Sequence, residues 1–560
     1  MKRLLREDLV LRGWEKLPYA VVERPHNGVR FVDARTFEAL SLCDGQIDLS
    51  LPIISDEVRA FVEKLEEQGA VRRCEPGERL TPDQEYRRYQ NRFVRTAHWS
   101  ITGKCNYRCR HCYMSAPDAK LGEIDHDTMM DLARQIADCG ILEVSLTGGE
   151  PLVRRDFMEL VDALLSYRIR IAQIYTNGKL VDEKLLDQLE EREIRPEFNM
   201  SYDGTQGWHD WMRGVPGAGD AVLAAFDLCH ERGFPTGAEM CLHQGNKHLL
   251  RESVSTLAAH HCESLKVNPV ADTDTWERLG EDRSLTLEET FEVYLDYIPC
   301  FYEDGAPLGL HLGGFFMGRP GSGDWTIPNI GKHPEERDPA ACASQVTCGH
   351  ARQTLYLSPE ARMLPCMALS SMPMQERYPL ATEIGLRQGL SDSEYLSLID
   401  TRVSALWEHN LECAQCEHRG ACAGGCRASA LFTAPDDILS PDRAQCLILK
   451  GGYAPRIREA VEKPRRGSPR ERRTNEAGHE GIHGEGQRGR GPAGQAGGPR
   501  WSARRRSRGE NGRHRVRGRF RGGGRGSRPR RNGARRERAC CRVRRLRNRV
   551  PTLQVQLPAR

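Results

Sequence analysis

Long apolar runs are missing from this 560-residue chain. No stretch of about 18 consecutive apolar residues occurs, so no helix is expected to span a bilayer. The opening residues "MKRLLREDLVLRGWEK" hold neither an apolar core nor a small-residue cleavage site. That argues against a secretory signal and for a cytoplasmic location. Aromatic residues are scarce, at 7%, whereas charged residues reach 29%; a soluble body diluted by a polar segment accounts for both. Residues 464–560 are that segment, and they contain no Lys and no Asp. They hold 30 Arg and 6 Glu, a net charge of +24. The whole chain carries +4, so residues 1–463 carry −20. An acidic body and a basic tail need separate readings.

The tail is rich in Arg, Gly and Pro and is expected to be disordered. Three readings of it stay open. One is an RNA-binding arginine–glycine segment, suggested by "RGRFRGGGRGSRPRR". Another is a solvated extension. The third is a G+C-rich gene translated in a shifted frame, which Arg without Lys fits best. Cys540 and Cys541 lie there and are assigned nothing.

In the body, residues 1–95 read as a winged-helix-like unit. "YAVVER" and "GVRFVD" are strands joined by the turn "PHNG". "DARTFEALSLCDG" is a helix capped by Asp33, and "SDEVRAFVEKLEEQGAV" a helix capped by Ser55. "CEPGERLTPDQEYRRYQNR" reads as a polar linker. From residue 97, "HWSITG", "EVSLTG", "IAQIYTNG", "EFNMSYDG", "GAEMCLH" and "SLKVNPV" alternate with amphipathic helices. Six strand–helix units over 96–310 imply a parallel α/β fold, an open sheet or a barrel, with its chemistry at the strand C-termini. From 340 to 450 the periodicity weakens and cysteines become dense, as in a small metal-stapled domain.

Twenty cysteines in a cytosolic chain do not suggest a disulfide framework. Cys43, Cys74, Cys139, Cys229, Cys241, Cys262 and Cys300 stand alone and read as small buried hydrophobes. The others cluster. Cys105, Cys109 and Cys112 are spaced C-x3-C-x2-C in "GKCNYRCRHCYMS". Structural zinc wants four ligands and favours C-x2-C pairs, so this is a poor zinc pattern. It begins directly after the strand "WSIT", where a parallel α/β fold places its site. Three thiolates on a four-iron cluster would leave one iron open to a small ligand.

This spacing resembles that of the radical SAM enzymes. His111 departs from the aromatic residue usual before the last cysteine. "TGGEP" (Thr147, Gly148, Gly149, Glu150, Pro151), "YTNG" with Asn177, "SYDG" with Ser201 and Asp203, and "HDWMRG" with Arg213 follow in order at strand ends. The resemblance implies a partial (β/α)6 TIM-type barrel. It also implies that these residues hold S-adenosylmethionine on a [4Fe-4S] cluster bound by the three cysteines. Ser201 and Arg213 would lie near its carboxylate and ribose, although Arg213 has the alternative of pairing with an acidic neighbour. A flavodoxin- or ferredoxin-type protein would supply the electron that cleaves S-adenosylmethionine to a 5′-deoxyadenosyl radical.

A second set, Cys342, Cys348, Cys366, Cys413, Cys416, Cys422, Cys426 and Cys446, contains C-x2-C-x5-C-x3-C. Eight thiolates would also suit two zinc ions. The arrangement resembles the SPASM domain, which implies two auxiliary [4Fe-4S] clusters. Cys413, Cys416, Cys422 and Cys446 would hold the distal one. Cys348, Cys366 and Cys426 would hold the nearer, with Cys342 as its fourth ligand or, failing that, an open iron. Ala361 stands where that family usually has Gly. Residues 15–73 resemble the PqqD-type peptide-recognition element, on "NGVRFVDARTFEALSLCDG". This implies a leader peptide bound at residues 1–95 by strand addition. The acidity of that unit disfavours nucleic acid.

Together the resemblances imply a maturase that installs a thioether or carbon–carbon crosslink in a ribosomally made precursor peptide. Rival expectations are a sulfatase-maturase-like enzyme acting on a protein, a tetrapyrrole-modifying radical SAM enzyme and a zinc-stapled binding protein. No catalytic acid or base is assigned; Tyr202, Asp203, Glu239 and His243 read as polar barrel lining.

Overall fold

The alternating pattern after residue 95 folds into a parallel sheet flanked by helices. A computed structural model describes residues 2–24, 26–114, 121–271, 274–278, 283–333, 338–391 and 394–463. The basic tail, with Cys540 and Cys541, lies outside the described residues.

The first 95 residues contain β1 (Arg3–Leu5), β2 (Leu9–Trp14), β3 (Leu17–Glu23), β4 (Gly28–Phe31), α1 (Ala34–Ser41), α2 (Asp56–Glu67), β5 (Val71–Arg73) and β6 (Arg87–Arg88). Asp33 and Ser55 cap the helices, accepting from the N–H groups of Thr36 and Val58. β1 pairs with β5, and a second sheet runs β4-β3-β2-β6. One apolar cluster joins Leu9, Leu11 and Val21 to Phe37, Leu40 and Leu65. Another joins Val10, Trp14, Ala20 and Val22 to Leu142, at the foot of the larger sheet.

Two features here differ from the sequence reading. β1 and β2 lie in a stretch where arginines interrupt the apolar pattern. Those arginines are nonetheless buried, Arg3 on Glu66 and Arg12 on Asp83, each at 2.8 Å. Residues 74–92 are docked chain and not a free linker. Gln84 donates to the carbonyls of Arg6 (3.1 Å) and Leu9 (3.3 Å), and Asn91 to that of Cys139 (3.0 Å). Their polar side chains satisfy buried backbone groups, which in composition alone look like groups meant for water.

The larger sheet begins with β7 (Thr96–Ser100), α3 (His126–Asp138), β8 (Glu143–Thr147), α4 (Phe157–Ser166), β9 (Arg170–Thr176) and α5 (Glu183–Glu190). β10 (Glu197–Ser201), α6 (Trp208–Arg213), α7 (Ala218–Glu231), β11 (Thr236–Leu242), α8 (Leu250–Ala259) and β12 (Ser264–Pro269) follow. After α9 (Asp274–Glu277) and α10 (Leu287–Glu303) come β13 (Gly309–Leu312), β14 (Phe316–Gly318) and β15 (Trp325–Thr326). β7 to β13 are parallel neighbours. Trp99, Leu146, Ile174, Met200, Met240 and Val267 pack into the main core. Alternate residues, among them His98, Ser145, Tyr175, Ser201, Glu239 and Lys266, turn to the opposite, concave face.

The sheet runs further than six units. β13 straddles the expected boundary at 310, and β14 and β15 extend it antiparallel. On the other edge β16 (Thr354–Leu357) lies parallel to β7 and pairs with β17 (Met363–Leu364). Strands of two to four residues are too short to show a period in sequence. Among the described residues no helix is long and apolar enough to cross a membrane.

Candidate metal and cofactor site

The loop carrying Cys105, Cys109 and Cys112 leaves the C-terminal end of β7. Its backbone is pinned to α6: the N–H groups of Arg108 and Arg110 donate to the carbonyls of Arg213 (3.2 Å) and Met212 (2.8 Å). Gly214 ends α6 at φ 66°, and a Cβ there would lie 2.5 Å from the Arg108 carbonyl. The glycine of "HDWMRG" is therefore what lets the cysteine loop reach the helix. Burial pushes the Cys105 thiol up to about 12, and neighbouring Cys109 and Cys112 add to it. To bind a metal as thiolates, these groups would release their protons to solvent.

"TGGEP" continues β8 toward the same loop. The N–H groups of Gly149 and Glu150 donate to the carbonyls of Thr102 (2.8 Å) and Lys104 (2.9 Å). A Cβ on Gly148 would come within 2.5 Å of the Thr102 carbonyl. Glu150 is fully buried and accepts from the N–H groups of Asn177 (2.8 Å) and Leu152 (3.1 Å) and the Thr176 hydroxyl (2.9 Å). Burial is the largest influence and lifts its carboxyl to about 7; the three donors offset only part. Pro151 is buried in the turn that follows. Asn177 Nδ2 donates to Asn106 Oδ1 (2.7 Å), tying the end of β9 to the cysteine loop.

Ser201 ends β10, half-buried on the concave face. Asp203 and Arg213 are drawn to each other. Arg213 Nε donates to Asp203 Oδ2 (2.7 Å), and Asp203 Oδ1 accepts from the Cys241 N–H (3.0 Å). Burial would raise the Asp203 carboxyl, but Arg213 and His209 hold it far below the usual range. Asp203 thus has both oxygens engaged within the protein. Arg213 takes the alternative of an acidic partner, and its Nη1 reaches Cys109 Sγ (3.7 Å). His111, buried beside this pair, is held neutral by burial and then by Arg213, with its pKa near 3. His111, Asp203 and Cys241 place donor atoms within 4.8 Å of one another. Arg213 already supplies the cation there, so the trio reads as packing around an ion pair. Tyr202 is buried in the core, and His243 packs among Trp208, Trp211 and Trp276.

The remaining cysteines fall into two neighbourhoods. Burial pushes Cys366 up to about 11, and Cys426 and Cys348 add to it. Burial likewise lifts Cys422 to about 12, with Cys446 and Cys413 adding. Cys416 acts on Cys413, and these last four line one small cavity. Cys342 is buried in the helix Pro339–Ala343, its Sγ donating to the Gly420 carbonyl (3.0 Å). Ala361 occupies the left-handed region at φ 66°, the conformation for which glycine is usual. Asp442 went unnoticed in the sequence. It caps the helix Arg443–Lys450, which bears Cys446, and also accepts from the N–H of Cys426 (2.7 Å) and the hydroxyl of Ser429 (2.7 Å). An Asp directly before a helix carrying a cysteine is the signal that could have found it.

A tetrahedral zinc with Zn–S of about 2.3 Å holds its thiolates about 3.8 Å apart. Among the described residues only His111, Asp203 and Cys241 bring three such donor atoms within 4.8 Å. All-thiolate sets suit iron–sulfur clusters, and zinc takes four thiolates as well.

Residues 99–253 match the family model described as the Radical SAM superfamily. The chain carries a radical SAM domain, whose cofactors are S-adenosylmethionine and a [4Fe-4S] cluster. It is 32% identical over 149 residues to Fe-coproporphyrin III synthase of Methanosarcina barkeri, covering 26% of this chain but 37% of that protein. It is 24% identical over 385 residues to mycofactocin maturase MftC of Mycolicibacterium smegmatis, covering 66% of this chain and 86% of that one. In fold it is similar to SuiB of Streptococcus suis, solved with its precursor peptide SuiA. The TM-score is 0.55 at 15% identity, over 79% of this chain and 99% of that one.

Proposed function

We propose that this protein is a radical SAM maturase that installs a thioether or carbon–carbon crosslink in a ribosomally made precursor peptide. The observation that carries the reading is the grouping of the cysteines into three sets, two of them beside one sheet. Cys105, Cys109 and Cys112 sit at the mouth of β7. Cys348 and Cys366 flank β16 and β17, joined to the edge of β7. Cys413, Cys416, Cys422 and Cys446 line one cavity. In this reading the first set, with Thr147, Gly148, Gly149, Glu150, Pro151, Asn177 and Ser201, holds the cofactor, and the Asp203–Arg213 pair braces the cysteine loop. When bound, that cofactor supplies a 5′-deoxyadenosyl radical. The other sets hold two auxiliary clusters that accept an electron as the product bond closes.

Residues 1–95 are read as the docking module for the leader. Among the described residues β4 is an edge strand of its sheet, which suits strand addition. The named relatives support a peptide substrate. Similarity to the maturase MftC runs over 385 residues, whereas similarity to the tetrapyrrole enzyme stops at 149. The reading is tested by anaerobic co-expression with each short open reading frame adjoining the gene. Iron and sulfide should copurify, reduced protein should release 5′-deoxyadenosine, and one peptide should lose two hydrogens by mass. Protein that holds zinc and no iron, or that modifies no peptide while cleaving S-adenosylmethionine, ends it.

A further inference from the structure

We propose that Glu239 accepts the proton released when the new bond closes in the precursor, and that Lys266 orients its carboxylate; this rests on the maturase reading above. Parallel register across β10 to β13 sets Ser201, Glu239, Lys266 and His311 side by side on the concave face. Their chain neighbours Met200, Met240, Val267 and Leu312 turn the other way and are buried. Lys266 Nζ lies 3.4 Å from Glu239 Oε1, and the two side chains stay partly open, at 39% and 30%. The carboxylates nearer the cysteine loop are otherwise engaged, Asp203 with Arg213 and Glu150 with three donors.

The pair shares its face with His98 and Tyr175, whose ring centroids lie 4.8 Å apart. Burial and then Lys266 keep His98 and His311 neutral. Those histidines are therefore poor proton acceptors. On the same face, His98 Nε2, His311 Nε2 and Asn199 Oδ1 are buried without a hydrogen-bond partner. Buried polar atoms left unpaired call for a partner, and polar groups of a bound peptide would supply one. Closing a carbon–sulfur or carbon–carbon bond removes two hydrogens from the precursor. One leaves as an atom to the 5′-deoxyadenosyl radical. The other leaves as a proton to Glu239, while its electron passes to an iron–sulfur acceptor.

The test uses full-length protein with reconstituted clusters and the peptide found by co-expression. Wild type is compared with Glu239→Gln, Glu239→Asp and Lys266→Met for both 5′-deoxyadenosine and crosslinked product. Glu239→Gln is expected to make 5′-deoxyadenosine at the wild-type rate and still draw deuterium into it from labelled peptide. Its crosslinking should fall about 100-fold. Glu239→Asp should recover part of that loss, and Lys266→Met should lower crosslinking with cleavage intact. A Glu239→Gln protein that crosslinks within about twofold of wild type overturns the proposal. So does one that makes no 5′-deoxyadenosine from S-adenosylmethionine and reductant alone, because Glu239 would then serve the cofactor or the fold. Wild-type protein that cleaves the cofactor and leaves every peptide unmodified refutes the maturase reading itself, and the proton acceptor with it.

Discussion

Glu150 is a buried carboxyl lifted to about 7 from an ordinary 4.5. In the cofactor-free chain the folded state therefore keeps its proton to higher pH than the unfolded state. Its contribution to stability is full below about pH 4.5 and is lost as pH rises through about 7. Between pH 4 and 8 this one group should remove about 3 kcal/mol of stability. Melting of cluster-free protein across that range, beside Glu150→Gln, measures it; a gap between the two that does not change with pH refutes the assignment. Gly214 makes a second residue-scale case. Alanine at φ 66° would cost about 1–2 kcal/mol in backbone strain alone, and its Cβ would press on the Arg108 carbonyl. Gly214→Ala should fold yet bind less iron at the first cysteine set, seen as a lower iron count with unchanged far-ultraviolet circular dichroism.

At the scale of elements, the turn between Cys422 and Cys426 shows why spacing is legible and support is not. C-x3-C is visible in any sequence. What makes it work is that Ala423, Gly424 and Gly425 all take positive φ, and that a Cβ on Gly425 would meet Asp442 Oδ2 at 2.5 Å. Arg427, fully buried, holds the turn from below through the carbonyls of Gly424, Ile438 and Ser440. Gly425→Ala should break the contact between Cys426 and Asp442, and the protein should lose the iron of one cluster. Iron per chain and the electron paramagnetic resonance of reduced protein check this; full iron content refutes it. Barrel strands such as "EFNMS" and "SLKVNP" were readable because they alternate over five or more residues. β13 to β17 were not, being shorter than the period needs. Asp442 and the docked residues Gln84 and Asn91 were invisible because their partners are backbone groups distant in sequence.

At the scale of the molecule, the N-terminal unit is fastened to the barrel. Trp14 Nε1 and Asn91 Nδ2 both donate to the Cys139 carbonyl, and Asn27 Nδ2 to that of Leu142. Deleting residues 1–95 would strip Leu142 of its apolar cover and leave those carbonyls without donors, so lost activity would not separate docking from folding. The free edge of β4 offers a cleaner probe. The Val32 N–H donates to the Tyr19 carbonyl. Antiparallel alternation then makes Arg30 and Val21 a bonded pair and leaves the N–H groups of Val29 and Phe31 pointing away from β3. Proline is tolerated on an edge strand where its missing N–H faces outward. Val29→Pro should therefore keep the fold and the cleavage of S-adenosylmethionine, while removing a donor that an added leader strand would need. Modification of the full precursor should fall about tenfold through weaker binding, seen as a higher KM with kcat retained. A leaderless core peptide should be processed equally by both proteins. Unchanged KM for the full precursor would mean that the leader does not add to β4, and the search would move to another face of residues 1–95.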